Sequence, residues 1–85
     1  MRVDFLQTTL SFNIRVLRQS NHLSQTDLAN ALGVTKQTVS EWENNIVWPS
    51  ITMLVSLAVH FSVSVDDLLG LGKQIDSRRF WNRRE

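Results

Sequence analysis

Residues 24–44 read SQTDLANALGVTKQTVSEWEN, and this stretch decides the architecture. Ser24 and Thr35 each stand directly ahead of a run with helical apolar spacing. A hydroxyl oxygen there accepts a hydrogen bond from an orphan backbone N–H of the first turn. Leu28, Ala29, Ala31 and Leu32 supply the inner side of the first run. Gly33 ends it, because glycine takes the left-handed conformation at a helix stop without steric cost. Val39 and Trp42 mark the inner side of the second run. Asp27 follows Ser24 by three residues, a shorter-armed form of the capping box. The stretch therefore predicts two short helices joined by a tight turn. Ala29 is small where the two approach, and Val34 and Val39 fill the wedge between them.

Working outward, the same signs recur. Leu10, Ile14 and Leu17 line one face of a preceding helix placed at roughly residues 9–20. Ser50 caps a fourth helix whose apolar positions are Ile51, Leu54, Val55, Leu57, Ala58 and Phe61. Ser64, with Asp67 three residues on, caps a short fifth that carries Val65, Leu68 and Leu69 and closes at Gly70. Pro49 is the one proline, Gly33, Gly70 and Gly72 are the three glycines, and no alternating strand pattern with hairpin turns occurs. The expectation is an all-α orthogonal bundle of five helices, since several are too short to lie usefully side by side.

Composition agrees with one small globule. The chain has 85 residues, 42% of them hydrophobic and 20% charged, which suits one packed domain rather than a disordered tail. Cysteine is absent, so neither disulfides nor thiolate metal sites can staple the fold. No apolar run approaches the ~18 residues that a membrane span needs. Asp4 interrupts the stretch where a signal peptide would be unbroken. No membrane partner and a cytoplasmic setting are expected. The net charge is +1, but it is unevenly placed. Residues 1–70 carry Arg2, Arg15, Arg18 and Lys36 against Asp4, Asp27, Glu41, Glu43, Asp66 and Asp67, an acidic balance. Residues 71–85 carry Lys73, Arg78, Arg79, Arg83 and Arg84 against Asp76 and Glu85. A polyanion would have to be held by that tail or by well-aimed polar groups, not by bulk charge.

Catalysis finds no support. His22 and His60 are far apart and form no metal-ligand spacing. Asp66 and Asp67 sit at a helix N-terminus, where the dipole is sufficient reason for them. There is no glycine-rich phosphate loop and no nucleophile elbow. Neither a catalytic residue, a metal nor a cofactor is expected.

The two central helices have the helix-turn-helix layout, in which the second helix enters the DNA major groove while the first crosses the backbone. At ~100° per residue, Val39 and Trp42 fall together on the second helix. Gln37, Ser40, Glu41 and Asn44 fall opposite, with Lys36 at the edge. A short polar face of this kind suits base readout: glutamine pairs with adenine, lysine donates to guanine or a phosphate, and glutamate accepts from cytosine. Any solvated helix face can look the same.

With LR at Leu17-Arg18, LSQ at 23–25, LGV at 32–34, WEN at 42–44, PSI at 49–51 and VSVDDLLG at 63–70, the chain resembles the phage Cro/repressor-type (XRE-type) helix-turn-helix family. The resemblance covers residues 10–70. It leaves 1–9 as an N-terminal extension and 71–85 as a basic C-terminal tail. It implies a compact lambda-repressor-like DNA-binding domain and a transcriptional regulator. The expected form is a homodimeric repressor on a palindromic operator of double-stranded DNA. By the family's pattern, Lys36, Gln37, Ser40 and Glu41 meet bases. Gln25, Thr35, Thr38, Asn44 and Asn45 meet the phosphate backbone, with Gln25 also bracing the reading helix. Arg18 and Glu43 form a buried ion pair, and the dimer seam falls at Val63–Leu71.

The chain departs from the family in several places. His22 and Asn45 stand where the family often has glycine, and asparagine tolerates the left-handed region better than histidine. The usually basic loop after the reading helix is Ile46-Val47-Trp48. These three either form a contact surface for a protein partner, as in an antitoxin-like interaction module, or Trp48 folds back onto the fourth helix. Phe5, Leu6, Phe12 and Val16 are more apolar than a free first-helix surface requires. They suit either a dimer seam or a cover for Ile75, Phe80 and Trp81 of the tail. That tail fits a sixth helix, a basic arm on phosphates, or a linker to a further domain.

Overall fold

A computed structural model describes residues 3–72, with the side chain of Val3 left aside. It contains five α-helices: α1 (Val3–Ser20), α2 (Gln25–Leu32), α3 (Lys36–Glu43), α4 (Ile51–Phe61) and α5 (Val65–Leu69). Among the described residues no strand occurs. The first helix starts at Val3, so residues 3–9, expected as an extension ahead of it, are its first two turns. Nothing between Asp4 and Thr9 breaks a helix, and Asp4 lies in the first turn, where negative charge meets the positive end of the dipole. Thr8 Oγ1 donates to the Asp4 carbonyl four residues back at 3.0 Å. Residues 73–85, for which a sixth helix, a phosphate-binding arm and a linker were the alternatives, lie outside the described residues.

All four hydroxyl caps are formed. Ser24, Thr35, Ser50 and Ser64 have extended backbones and accept from the N–H groups of Asp27, Thr38, Met53 and Asp67 respectively. At α2 the box closes both ways: Asp27 N–H donates to Ser24 Oγ at 2.9 Å, and Ser24 N–H donates to Asp27 Oδ2 at 2.9 Å. The Ser24 N–H bond, with the Ser24 hydroxyl second, holds the Asp27 carboxyl below the ordinary aspartate range. Gly33 ends α2 at φ +73.

Gly70 ends α5 at φ +77, and a Cβ placed there would stand 2.7 Å from Thr9 Cγ2. The end of α5 thus lies directly on α1. The same left-handed stop is made at the end of α4 by Ser62, φ +57, where no glycine marks it. His22 and Asn45 also have positive φ, +59 and +62. Because an L-residue is strained in this region, Ser62→Gly is expected to raise stability by about 0.5–1 kcal/mol after the greater freedom of glycine in the unfolded chain is subtracted. That corresponds to a midpoint several degrees higher, by about 4–8 °C per kcal/mol in a domain this small, in a thermal melt.

The core is one cluster of Leu10, Ile14, Leu17, Leu28, Ala29, Val39, Trp42, Leu57, Ala58, Phe61 and Leu68. α1 is the central strut, packed on α3 and α5, while α2 meets α3 and α4, and α4 meets α5. Asn13, buried on α1, donates to the Leu68 carbonyl at 2.9 Å and so ties the last carbonyls of α5 to the strut. Each helix contributes to one shared interior, and the orientation of α3 is set by two neighbours at once, α1 and α2.

Candidate nucleic-acid interface

α3 is held from behind by a buried carboxylate. Glu43, at the end of α3, is 5% exposed as a residue, and its side chain is fully covered. Arg18 Nε donates to Glu43 Oε2 at 2.6 Å and Arg18 Nη2 donates to Oε1 at 3.1 Å, a bidentate pair. Gln25 Nε2, from the first turn of α2, also donates to Oε1 at 3.1 Å. Arg15 Nη2 donates to the Glu43 carbonyl oxygen at 3.1 Å, and Arg15 Nε lies 3.7 Å from Oε1. Arg18 Nη1 also donates to the Leu23 carbonyl in the α1–α2 turn at 2.8 Å. One carboxylate therefore joins α1, α2 and α3. Among the described residues, no buried side-chain nitrogen or oxygen lacks a partner.

Arg15 was not singled out in the sequence. Its only signal is its place one helical turn before Arg18, and its partner is a backbone carbonyl that no side-chain pattern reveals. It does two things: it occupies one of the orphan carbonyls at the C-terminus of α3, and it places positive charge at the negative end of that helix.

In front of this anchor, Lys36 and Gln37 are exposed, and Ser40 and Glu41 are half-buried on the same outward side. Gln37 Nε2 lies 3.4 Å from Glu41 Oε2, a long contact one turn along the helix. The Thr35 and Thr38 hydroxyls are 2.9 Å apart at the N-terminus of α3, and Thr35 Oγ1 accepts from the Thr38 N–H at 3.1 Å. Asn44 donates both to the Ser40 carbonyl, at 2.8 Å, and to Ser40 Oγ, at 3.1 Å. Asn45 Nδ2 donates to Thr8 Oγ1 on α1 at 3.2 Å. Thr8 is thus a second residue the sequence did not reveal. It links the early turns of α1 to the loop that leaves α3.

In that loop, Ile46 and Val47 are 66% and 45% exposed, whereas Trp48 packs against the core beside buried Pro49. Of the two expectations for Trp48, folding back is the one its packing fits. Ile46 and Val47 remain outward. Among the described residues, no group of acids and histidines could hold a metal ion, and no helix is long and apolar enough to cross a membrane.

With a polar outer face on α3, an anchored inner face and a glycine turn ahead of it, comparison with known proteins is decisive. Residues 14–68 match the helix-turn-helix family HTH_3, and the chain belongs to that family, the Cro/repressor type with a lambda-repressor-like fold. The family is one of DNA-binding regulators of transcription, not of enzymes.

The chain is similar to the HTH-type transcriptional activator BcrR of Enterococcus faecalis, 34% identical over 62 residues that cover 71% of this chain and 30% of BcrR. It is also similar to an HTH-type transcriptional regulator of Methanocaldococcus jannaschii, 33% identical over 55 residues, or 65% of this chain and 83% of that protein. The chain therefore spans under a third of BcrR but most of the archaeal protein. No solved structure matches at comparable stringency.

Proposed function

We propose that the protein is a repressor that binds a palindromic operator as a homodimer, each copy laying α3 in the major groove. The observation that carries this reading is the two-sidedness of α3. Its inner side is locked by Val39, Trp42 and Glu43, while Lys36, Gln37, Ser40 and Glu41 stand on the outer side. A reader of base edges needs such a helix: rigidly aimed, with short polar groups outward. Lys36 and Gln37, near the N-terminus of α3, are placed for the groove floor, with Ser40 and Glu41 about one turn on. Glu41 repels phosphates, so its role is to accept from cytosine or to reject other bases.

Thr35 and Thr38, at the positive end of the helix, are placed for a phosphate. Gln25 has one amide hydrogen on Glu43 and a second available. Asn44 and Asn45 reach a phosphate by exchanging their bonds to Ser40 and Thr8. Two copies on a two-fold site would set their α3 helices about 34 Å apart, one turn of DNA. The dimer seam expected from the family's pattern is Val63–Leu71, where Leu68 is fully buried and Leu71 is 49% exposed.

Repression needs only occupancy of a promoter, which a domain of this size can supply unaided. The name of BcrR describes an activator, and activation is a second outcome for the same DNA contact. The exposed pair Ile46 and Val47 favours another reading, a protein-binding module with DNA binding secondary.

Selection from randomised duplex DNA at physiological salt, followed by sequencing, tests the proposal. Recovery of one palindromic motif supports it, and a reporter with that motif across its promoter then gives the sign of regulation. Retention without any motif removes the specific-operator reading. No retention moves the function to the partner that sits on Ile46 and Val47.

A further inference from the structure

Two guanidinium groups converge on one carboxylate at the back of α3. Arg18 meets both oxygens of Glu43 by itself, and its side chain is 12% exposed. Arg15 gives that carboxylate no hydrogen bond. Its Nε stands 3.7 Å from Oε1, and its Nη2 donates instead to the neutral Glu43 carbonyl. The cluster therefore sets two positive charges against one negative. The surplus lies on Arg15, whose side chain is 44% exposed. The negative end of α3 draws a cation to this place, yet the carbonyl engages one of the five N–H groups of the fork.

From this we infer that Arg15 holds a DNA phosphate at the C-terminal end of α3, one N–H on the Glu43 carbonyl and others on phosphate oxygens. The assignment rests on the reading above that α3 lies in the major groove. A planar fork with free N–H groups matches a phosphate bidentately, and its charge is not consumed within the protein. Its position agrees. The carbonyl it holds is one peptide bond from Asn44, so the guanidinium stands at the chain's exit from α3. Asn45 follows there, with its amide on Thr8, two turns before Arg15 on α1. Thr8 and Arg15 thus lie on one side of α1 and both reach this exit.

The distribution of charge points the same way. Arg15, Arg18 and Lys36 are the arginines and lysines among the described residues. With Arg18 engaged on Glu43, the exposed positive charge stands at the two ends of α3, Lys36 at its start and Arg15 at its close. Glu41 lies between them. The ends of the helix are about 10 Å apart along its axis, close to the ~12 Å width of the major groove. A helix laid there has its cations toward the two backbones and its acid toward the bases. The other exposed acids sit elsewhere: Asp4 is three turns before Arg15, and Asp27, Asp66 and Asp67 are in the first turns of α2 and α5.

The test is binding of the chain to the duplex retained in the selection, between 50 and 200 mM salt, for wild type, Arg15→Gln and Arg15→Lys. Glutamine keeps an amide donor for the Glu43 carbonyl and drops the charge. Each phosphate contact adds about 0.9 to the slope of log K against log salt. Arg15→Gln should lower that slope by about 0.9 for each chain bound. Its deficit against wild type should then be about 3.5-fold larger at 50 mM than at 200 mM per chain. Arg15→Lys keeps the charge and should keep the slope. The preferred motif should be the same for all three, because a phosphate carries no base identity. Single methylphosphonates placed along each strand give a second measurement. One neutralised position that weakens wild type should leave Arg15→Gln unaffected.

Equal slopes for wild type and Arg15→Gln overturn the inference, and so does a methylphosphonate profile that the variant does not change. In either case a recovered motif leaves the α3 reading intact. A lower thermal midpoint and an altered motif at unchanged slope make Arg15 a support of α3 alone, which also overturns it. A wild-type chain that retains no duplex removes the α3 reading itself.

Discussion

Arg18→Met is expected to lower the unfolding free energy by about 3–5 kcal/mol, the cost of leaving a buried carboxylate without its main partner. Glu43 cannot relax into water, because its side chain is wholly covered. It also cannot be fully served by what remains. Arg15 Nε lies 3.7 Å from Oε1, and Gln25 gives one neutral hydrogen bond. These residual partners place the loss toward the lower end of the range. At about 4–8 °C per kcal/mol, the midpoint of a thermal melt falls by more than 10 °C.

The double variant Arg18→Met with Glu43→Leu separates net stabilisation from stranding. Replacing both members of a buried pair by apolar groups is often close to neutral, so the double variant should recover most of the lost stability. It should not recover DNA binding to the same degree, because Gln25 then has no carboxylate to hold and α3 keeps only the Arg15 bond to the residue-43 carbonyl as its polar link to α1. A midpoint within a degree or two of wild type for Arg18→Met would end this account.

The helix starts were legible because capping is local chemistry. Ser24, Thr35, Ser50 and Ser64 each act on an N–H three residues away, so residue type and spacing suffice. Gly33 and Gly70 were legible as stops for the same reason. The start of α1 was not, since neither proline, glycine nor an uncompensated hydroxyl separates Asp4 from Leu10. The stop at Ser62 was also hidden. Its N–H and that of Val63 close the helix end on the Val59 and Ala58 carbonyls as at a glycine stop, but with a serine, whose type does not mark a left-handed backbone.

The candidate site divides in the same way. The outward face of α3 follows from the positions of Val39 and Trp42 on a helical wheel. The convergence of Arg15, Arg18 and Gln25 on Glu43 depends on how three helices cross, which no one-dimensional spacing encodes. Resemblance supplied the Arg18–Glu43 pair, but nothing supplied Arg15 or Thr8. Helix α4 shows the converse. Ile51 and Val55 were read among its apolar positions yet stand outward, as does Val59, which that reading left out.

Gln37→Ala is expected to cost about 1–3 kcal/mol of specific binding, a five- to 150-fold loss on the selected operator. Binding to unrelated DNA should stay nearly the same, because that term comes from phosphate contacts. Gln37 is exposed in the first turn of α3, and the buried Val39 and Trp42 fix the direction in which it projects. Its 3.4 Å contact with Glu41 is too long and too exposed to compete strongly with a bidentate pair to adenine. Truncation should therefore relax preference at one base-pair position in each half-site, with Glu41 left to reject rather than to read. Repeating the duplex selection with Gln37→Ala checks this. One degenerate position per half-site with the rest of the motif kept is the expected outcome, and an unchanged motif would move base reading away from Gln37. A uniform loss over all sequences, accompanied by a shallower salt dependence, would instead make Gln37 a phosphate contact, because only ionic and backbone contacts scale that way.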